Sequence, residues 1–276
     1  MRIGIIGTGN IGGMLSKAFA TAHPEAQVTI YNRSRGKANR VAARLANVYV
    51  TNSSIEAAQG ADTVFLCTKS TDGWSVLDEV APRLSRSQTL VTTISSIPLS
   101  DIEQITDASV AKVIPSVVQS VQSGVILVTY GPTMAQNARE RLTQLLSSIA
   151  HPQAVSEAQV RVYSDLCSCG PAFMSELLVH WADAAASTGN ITNEDAESML
   201  VGTLIGLADL LRSGKSLGEV ITSVAVPGGV TETGILSLRQ SVPQVFQQLH
   251  QATQQHGIRK QGSTLPSNRR KADFVE

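Results

Sequence analysis

Net charge is absent from this chain: its 276 residues carry 22 basic and 22 acidic side chains, so no overall field draws it to nucleic acid or to a membrane surface. Long apolar runs are missing too, none approaching the ~18 residues a bilayer-spanning helix needs. The run Ile3–Ile6 is broken at once by glycines, unlike a secretory signal, and a cytoplasmic protein is expected. Cysteine is scarce. The three residues Cys67, Cys167 and Cys169 do not make a disulfide framework, and the C-x-C pair has no histidines nearby to complete a zinc set, so no metal is expected. The absence of a G-x-S-x-G elbow and of a P-loop argues against hydrolase and nucleotide-triphosphatase chemistry.

What is present suits two domains and a tail. From the start to about Pro152, short runs rich in Val, Ile and Thr alternate with helical stretches. The runs are Arg2–Ile6, Val28–Tyr31, Val48–Val50, Thr63–Cys67, Leu90–Ile94, Val110–Ile114 and Val125–Thr129. Their lack of polar alternation marks strands covered on both faces, and the helices expected between them are Gly12–Ala22, Arg35–Leu45, Trp74–Leu84 and Met134–Ile149. The fold class expected is α/β: an N-terminal Rossmann doubly wound sheet over residues 1–154. Strand signals then vanish, and an all-helical domain is expected over residues 155–256. One of its helices should run from about Glu194 to Arg212, with Thr192 and Asp195 as a capping box and Gly214 as its end. Gly202 and Gly206 would let a second helix approach closely. Residues 257–276 hold five basic and two acidic side chains; they read as a disordered tail, either a solubilising end or a contact for an anionic partner.

The sharpest local signal is Gly7-Thr8-Gly9-Asn10-Ile11-Gly12, a G-x-G-x-x-G run set between a strand and a helix. The first glycine permits the tight turn, the second a close approach of pyrophosphate, and the third close packing of helix on strand. The helix N-terminus offers free N–H groups to the phosphates. Asn32 lies twenty residues beyond Gly12, where NAD-selective domains commonly place a carboxylate. Here the run is Asn32-Arg33-Ser34-Arg35, with Lys37 close behind. A guanidinium fork and a hydroxyl suit the 2′-phosphate of NADP(H), although a solvated basic turn would read the same way. Farther on, Val226-Pro227-Gly228-Gly229-Val230-Thr231 leads into a helix. It is either a plain interhelical turn or a small cradle for a carboxylate, built from backbone N–H groups and the Thr231 hydroxyl.

Together with Cys169-Gly170-Pro171-Ala172-Phe173 and Ala182-Asp183-Ala184, these motifs resemble the pyrroline-5-carboxylate reductase family, and more closely its divergent ComER branch. Their order and spacing hold from Met1 to about Gln255. The resemblance implies NADPH-dependent reduction of a cyclic imine, 1-pyrroline-5-carboxylate to L-proline, as in proline biosynthesis. It implies a small imino-acid substrate and a homodimer or larger homo-oligomer. It places Gly228, Gly229, Val230 and Thr231 on the substrate carboxylate, with the Thr231 hydroxyl as catalytic group near the ring nitrogen. Cys67, Thr68 and Lys69 fall along the nicotinamide half of the cofactor.

The chain departs from the family pattern around the substrate. The family run Ser-Ile-Ala-Ala-Gly is Thr93-Ile94-Ser95-Ser96-Ile97 here, Arg-Val-Met-Pro-Asn is Lys112-Val113-Ile114-Pro115-Ser116, and Ser-Gly-Ser-Gly is Cys167-Ser168-Cys169-Gly170. Two alternatives therefore stay open: an NADPH-binding regulatory protein with little turnover, and a related two-domain hydroxyacid dehydrogenase. The latter usually carries a lysine four residues after the glycine that opens the helical domain, and Gly170 is followed by Pro-Ala-Phe-Met. His180, with Glu176 and Asp183 on one helix face, reads as a surface or interface charge cluster, and Trp74 and Trp181 as packing residues.

Overall fold

The computed structural model describes residues 1–261, with side chains to His256. The expectation for residues 257–276 lies outside these, apart from the backbone of the last helix, which runs to Gln261. The chain forms two compact units, Met1–Pro171 joined by the stretch from Gln254, and Ala172–Thr253.

The first unit is built on eight strands: β1 (Arg2–Ile6), β2 (Gln27–Tyr31), β3 (Val48–Val50), β4 (Thr63–Leu66), β5 (Thr89–Thr92), β6 (Ser109–Ile114), β7 (Val125–Tyr130) and β8 (His151–Ala154). Between and after them lie α1 (Asn10–Ala22), α2 (Arg35–Ala42), α3 (Ser54–Ala58), α4 (Ser70–Val80), α5 (Leu99–Glu103), α6 (Gln136–Ser147) and α7 (Val160–Cys167). The sheet order is β3-β2-β1-β4-β5-β6-β7-β8. Every pairing is parallel except β6 with β7.

The central strands are buried on both faces because alternate residues enter two different cores. Ile5 and Phe65 join one that includes Leu15, Phe19, Leu142 and Leu146. Ile6, Val64 and Leu66 join the other, with Leu77, Leu90 and Ile102. Gly4 interrupts the isoleucines of β1 for a reason of contact: a Cβ there would lie 2.3 Å from the Ala57 carbonyl oxygen of α3. The order reverses between β1 and β4, which opens a crevice at their carboxyl ends.

The sequence pattern misses three features here. β8 has only Ala154 as an ordinary apolar residue and carries Pro152, tolerated because β8 is the edge strand. Helices α3 and α5 are five residues long, too short for periodicity to show. β7 runs antiparallel to β6 because a short 3₁₀ segment, Val117–Val121, joins them in place of a helical crossover.

The second unit is all-helical, from α8 (Gly170–Ala186) through α9 (Asn193–Arg212) and α10 (Leu217–Val224) to α11 (Val230–Gln261). Thr192 caps α9 by accepting the Asp195 N–H at 3.1 Å, and Gly214, at φ +98°, follows its end. Ala182 and Ala196 are buried in this unit, whereas Met174, Trp181, Met199, Ile205, Leu217 and Leu236 are exposed. The expected packing role of Trp181 is therefore not met within a single chain, where the ring is 62% exposed. Trp74 does pack, against the second core of the sheet unit. Among the described residues, no helix is long and apolar enough to cross a membrane.

Candidate functional site

The carboxyl ends of β1, β2 and β4 bring the first set of sequence-predicted residues together. Gly7 has φ +96°, and a Cβ on it would meet the Cys67 carbonyl oxygen at 2.7 Å; its N–H donates to the Tyr31 carbonyl at 2.7 Å. Gly12 packs so closely that a Cβ would lie 1.8 Å from the Gly7 carbonyl oxygen. Gly9 is different: a Cβ there would meet nothing within 4 Å. The N–H groups of Asn10, Ile11 and Gly12 open α1 and point their dipole end at that space, and Gly13 is the first to find an acceptor, Gly9 O at 2.8 Å.

Asn32 braces this loop. Its Oδ1 accepts the Thr8 N–H at 3.0 Å, and its amide donates to the Ser34 carbonyl at 3.1 Å. Arg33 extends from the end of β2 with its side chain 87% exposed, held only by Asp72 at 3.9 Å, so it is free to turn onto an anion. Ser34 is the N-cap of α2 but makes no side-chain cap bond, which leaves its hydroxyl available beside Arg33.

Beyond β4 comes Cys67, a half-buried residue. Burial pushes its thiol up to about 12, against a smaller opposing effect of a hydrogen bond with Thr93. Lys69 precedes α4 and has no ion-pair partner among the described residues. The Thr8 and Thr68 hydroxyls are enclosed with no hydrogen-bond partner. Such groups cost the free protein about 1–3 kcal/mol each, and their place at the crevice suits donors reserved for a ligand. Ser96, in the turn after β5, carries a third such hydroxyl. It was not singled out from sequence, where its only trace is a serine replacing a family alanine.

The second set lies in the helical unit. Gly228 adopts φ +74°, and its N–H donates to Glu232 Oε2 at 2.7 Å. The Gly229 N–H donates to the Val226 carbonyl at 3.0 Å. Both amides are thus used in shaping the turn. The donors that remain are the N–H groups of Val230 and Thr231, which open α11, and the half-buried Thr231 hydroxyl. Glu232 as a brace of this turn was not foreseen. His180 pairs with Glu176 at 3.3 Å with both side chains exposed, while Asp183 accepts from Asn193; this is a surface cluster.

Residues 157–259 match the family model for pyrroline-5-carboxylate reductase dimerisation, and residues 2–96 that for NADP oxidoreductases, coenzyme F420-dependent. ComE operon protein 4 of Bacillus subtilis (strain 168) is 34% identical over 92% of this chain and 94% of its own length. The chain belongs to the pyrroline-5-carboxylate reductase family. Pyrroline-5-carboxylate reductase 3 of the same organism is 25% identical, over 91% of this chain and 94% of that protein. The crystal structure of Plasmodium falciparum pyrroline carboxylate reductase with NADP bound shares the fold, with a TM-score of 0.77 at 17% identity, covering 96% of this chain and 98% of that one. The family is one of NADP-dependent oxidoreductases. The crevice fits that cofactor: open space at Gly9, three free N–H groups, an exposed cation at Arg33 and unpartnered hydroxyls at Thr8 and Thr68.

Proposed function

We propose that this protein reduces a cyclic imine with NADPH, 1-pyrroline-5-carboxylate to L-proline, as a homodimer or larger homo-oligomer. On this reading residues 1–154 hold the cofactor and residues 155–256 carry substrate binding and dimerisation. The observation that carries it is the turn at Pro227–Thr231, which leaves two backbone donors and one hydroxyl at a helix N-terminus, a set suited to a small carboxylate. The bound cofactor supplies hydride. The chain's own part is to bind and orient. Val230 and Thr231 grip the carboxylate, and the Thr231 hydroxyl takes a hydrogen bond with the ring nitrogen. Gly7–Gly12 hold the pyrophosphate, and Arg33 with Ser34 the 2′-phosphate. A cyclic imine is protonated near neutrality, so no strong acid–base dyad is required.

Assembly is supported by the exposed apolar side chains of α8 to α11 and by Gly202 and Gly206, where a Cβ would meet nothing within 4 Å. Apolar faces of this extent are rare on monomers.

A second reading, an NADPH-binding protein of the same fold with little or no turnover, is favoured by the departures from the family pattern at Thr93–Ile97, Lys112–Ser116 and Cys167–Gly170. The test is loss of nicotinamide absorbance when the purified protein meets NADPH and pyrroline-5-carboxylate. Thr231→Ala should lower that rate roughly tenfold, the worth of one well-placed hydrogen bond, with NADPH affinity unchanged. No turnover on any cyclic imine would favour the second reading.

A further inference from the structure

We propose that Cys167 and Cys169 form a reversible oxidation site, at which a hydroperoxide oxidises Cys169 and Cys167 resolves the product to a disulfide. Neither thiol takes part in the reaction proposed above.

The two thiols flank the end of α7, within the first compact unit. Cys167 is the last residue of that helix and Ser168 its C-cap, and both cysteines are half-buried. Their sulfurs are held differently. The Cys167 thiol donates to the Tyr163 carbonyl at 3.1 Å, and burial is the first cause of a pKa raised above the usual thiol value. Cys169 Sγ instead accepts from Arg161 Nη2 at 3.5 Å. The buried Asp165 carboxylate pairs with that same nitrogen; it offsets part of the charge and fixes the guanidinium in place. Of the two sulfurs, the one that faces a cation is the attacking member, because negative charge developing on it is stabilised there.

The guanidinium also has a donor to spare. Arg161 Nε is enclosed and has no hydrogen-bond partner, although buried N–H groups are almost always paired. Nε and Nη2 share one edge of the planar fork, so the open donor lies beside the one that holds the sulfur. The thiol uses half of that edge. An oxygen added to Cys169 Sγ comes within reach of the other half.

The chemistry balances in two steps. The Cys169 sulfur attacks one peroxide oxygen, the O–O bond breaks, and the thiol proton leaves with the other oxygen as water or an alcohol. The Cys167 sulfur then attacks the sulfenic sulfur. An S–S bond forms, the S–O bond breaks, and the hydroxyl leaves with the Cys167 proton as water, so that sulfur is oxidised and the peroxide reduced. Ser168 has helical φ −91° and ψ −45°, which sets the flanking Cα atoms ~5.4 Å apart, inside the ~4.4–6.8 Å a disulfide spans. Their side chains leave a helix about 200° apart, so the bridge must open the last turn of α7. That turn is lightly tied: the Ser168 and Cys169 N–H groups share one acceptor, the Ser164 carbonyl, at 2.9 and 2.8 Å. A bridge made against this geometry is strained and easily reduced, as a regulatory disulfide is and a structural one is not.

The test treats the full, reduced chain with hydrogen peroxide in native buffer. Alkylation after denaturation should then find one thiol where the untreated chain has three, and peptide masses should place the bridge between Cys167 and Cys169. Cys67, with its pKa near 12, should be the thiol that remains, and dithiothreitol should restore the other two. In Cys167→Ser the reaction should stop at a sulfenic acid on Cys169, captured by dimedone. Adding Arg161→Lys, which keeps the charge and removes Nε, should slow formation of that adduct about fivefold, the worth of one hydrogen bond. The proposal is overturned if all three thiols survive peroxide, or if the bridge joins two chains or includes Cys67. It is overturned equally if Cys169→Ser is oxidised at Cys167 as fast as the wild type, or if Arg161→Lys leaves the adduct rate unchanged.

Discussion

Replacing Gly9 and Gly12 one at a time by alanine separates what the glycine-rich loop does for the ligand from what it does for the fold. Gly9 has φ −69°, which any residue adopts, and its Cβ would meet nothing within 4 Å. Losing glycine at the N-cap costs a few tenths of a kcal/mol or somewhat more, and the stiffer unfolded chain returns about 0.4–1 kcal/mol. The melting temperature of Gly9→Ala should therefore stay within about 2 °C of wild type. Its methyl, however, occupies the space over which the N–H groups of Asn10 to Gly12 reach a pyrophosphate. Each charge-assisted bond lost is worth about 1.5–3 kcal/mol, so NADPH affinity should fall roughly tenfold to a hundredfold. Gly12→Ala inverts the pattern. Its Cβ would sit 1.8 Å from the Gly7 carbonyl oxygen, a clash that backbone movement must absorb, and unfolding should come several degrees earlier. Thermal melting without ligand and fluorescence titration with NADPH measure the two effects independently. A Gly9→Ala protein with NADPH affinity within twofold of wild type, or one melting as low as Gly12→Ala, would refute the reasoning.

Wild type should bind NADPH roughly tenfold or more tightly than NADH, through a charge-assisted contact from Arg33. Arg33→Asp should reverse the order with no change in fold, and equal wild-type affinities would remove Arg33 from the site. Sedimentation should show a dimer or larger assembly at micromolar concentration. Ile205→Asp, at a position 60% exposed in the single chain, should shift it to monomer; a stable wild-type monomer would refute the assembly. With its pKa near 12, Cys67 should be thiolate in only about one molecule in ten thousand at pH 8. It should be alkylated slowly near neutrality and faster as pH rises, and rapid labelling of Cys67 at pH 7 in the native state would refute the raised pKa.

The amino-terminal crevice was legible in the sequence because its requirements are local. A strand, three spaced glycines and a helix occupy consecutive residues, and the φ of +96° at Gly7 and the contact at Gly12 are demands that glycine alone meets. The parallel strands were legible because burial on both faces writes itself as unbroken apolar runs. Where a strand is half-exposed at an edge, as at His151–Ala154, that pressure vanishes and so does the signal. Asn32 is an intermediate case: its place at the end of β2 beside the glycine-rich loop follows from spacing, but its bond to the Thr8 N–H makes it a brace for that loop.

Sequence alone thus determined the fold class, the glycine-rich turn at the head of α1 and the exposed basic run after β2, since each depends on neighbours within a turn or on one periodic face. Tertiary structure alone decided three other things. The Gly228 amide is taken by Glu232, leaving the cradle's donors to Val230 and Thr231. The apolar side chains of α8 to α11 find almost no cover in their own chain. Ser96 keeps an unpartnered hydroxyl in a turn pinned by Leu66, Lys112 and Glu157. These depend on which groups are left unsatisfied after distant segments have packed, and no spacing along the chain encodes that remainder.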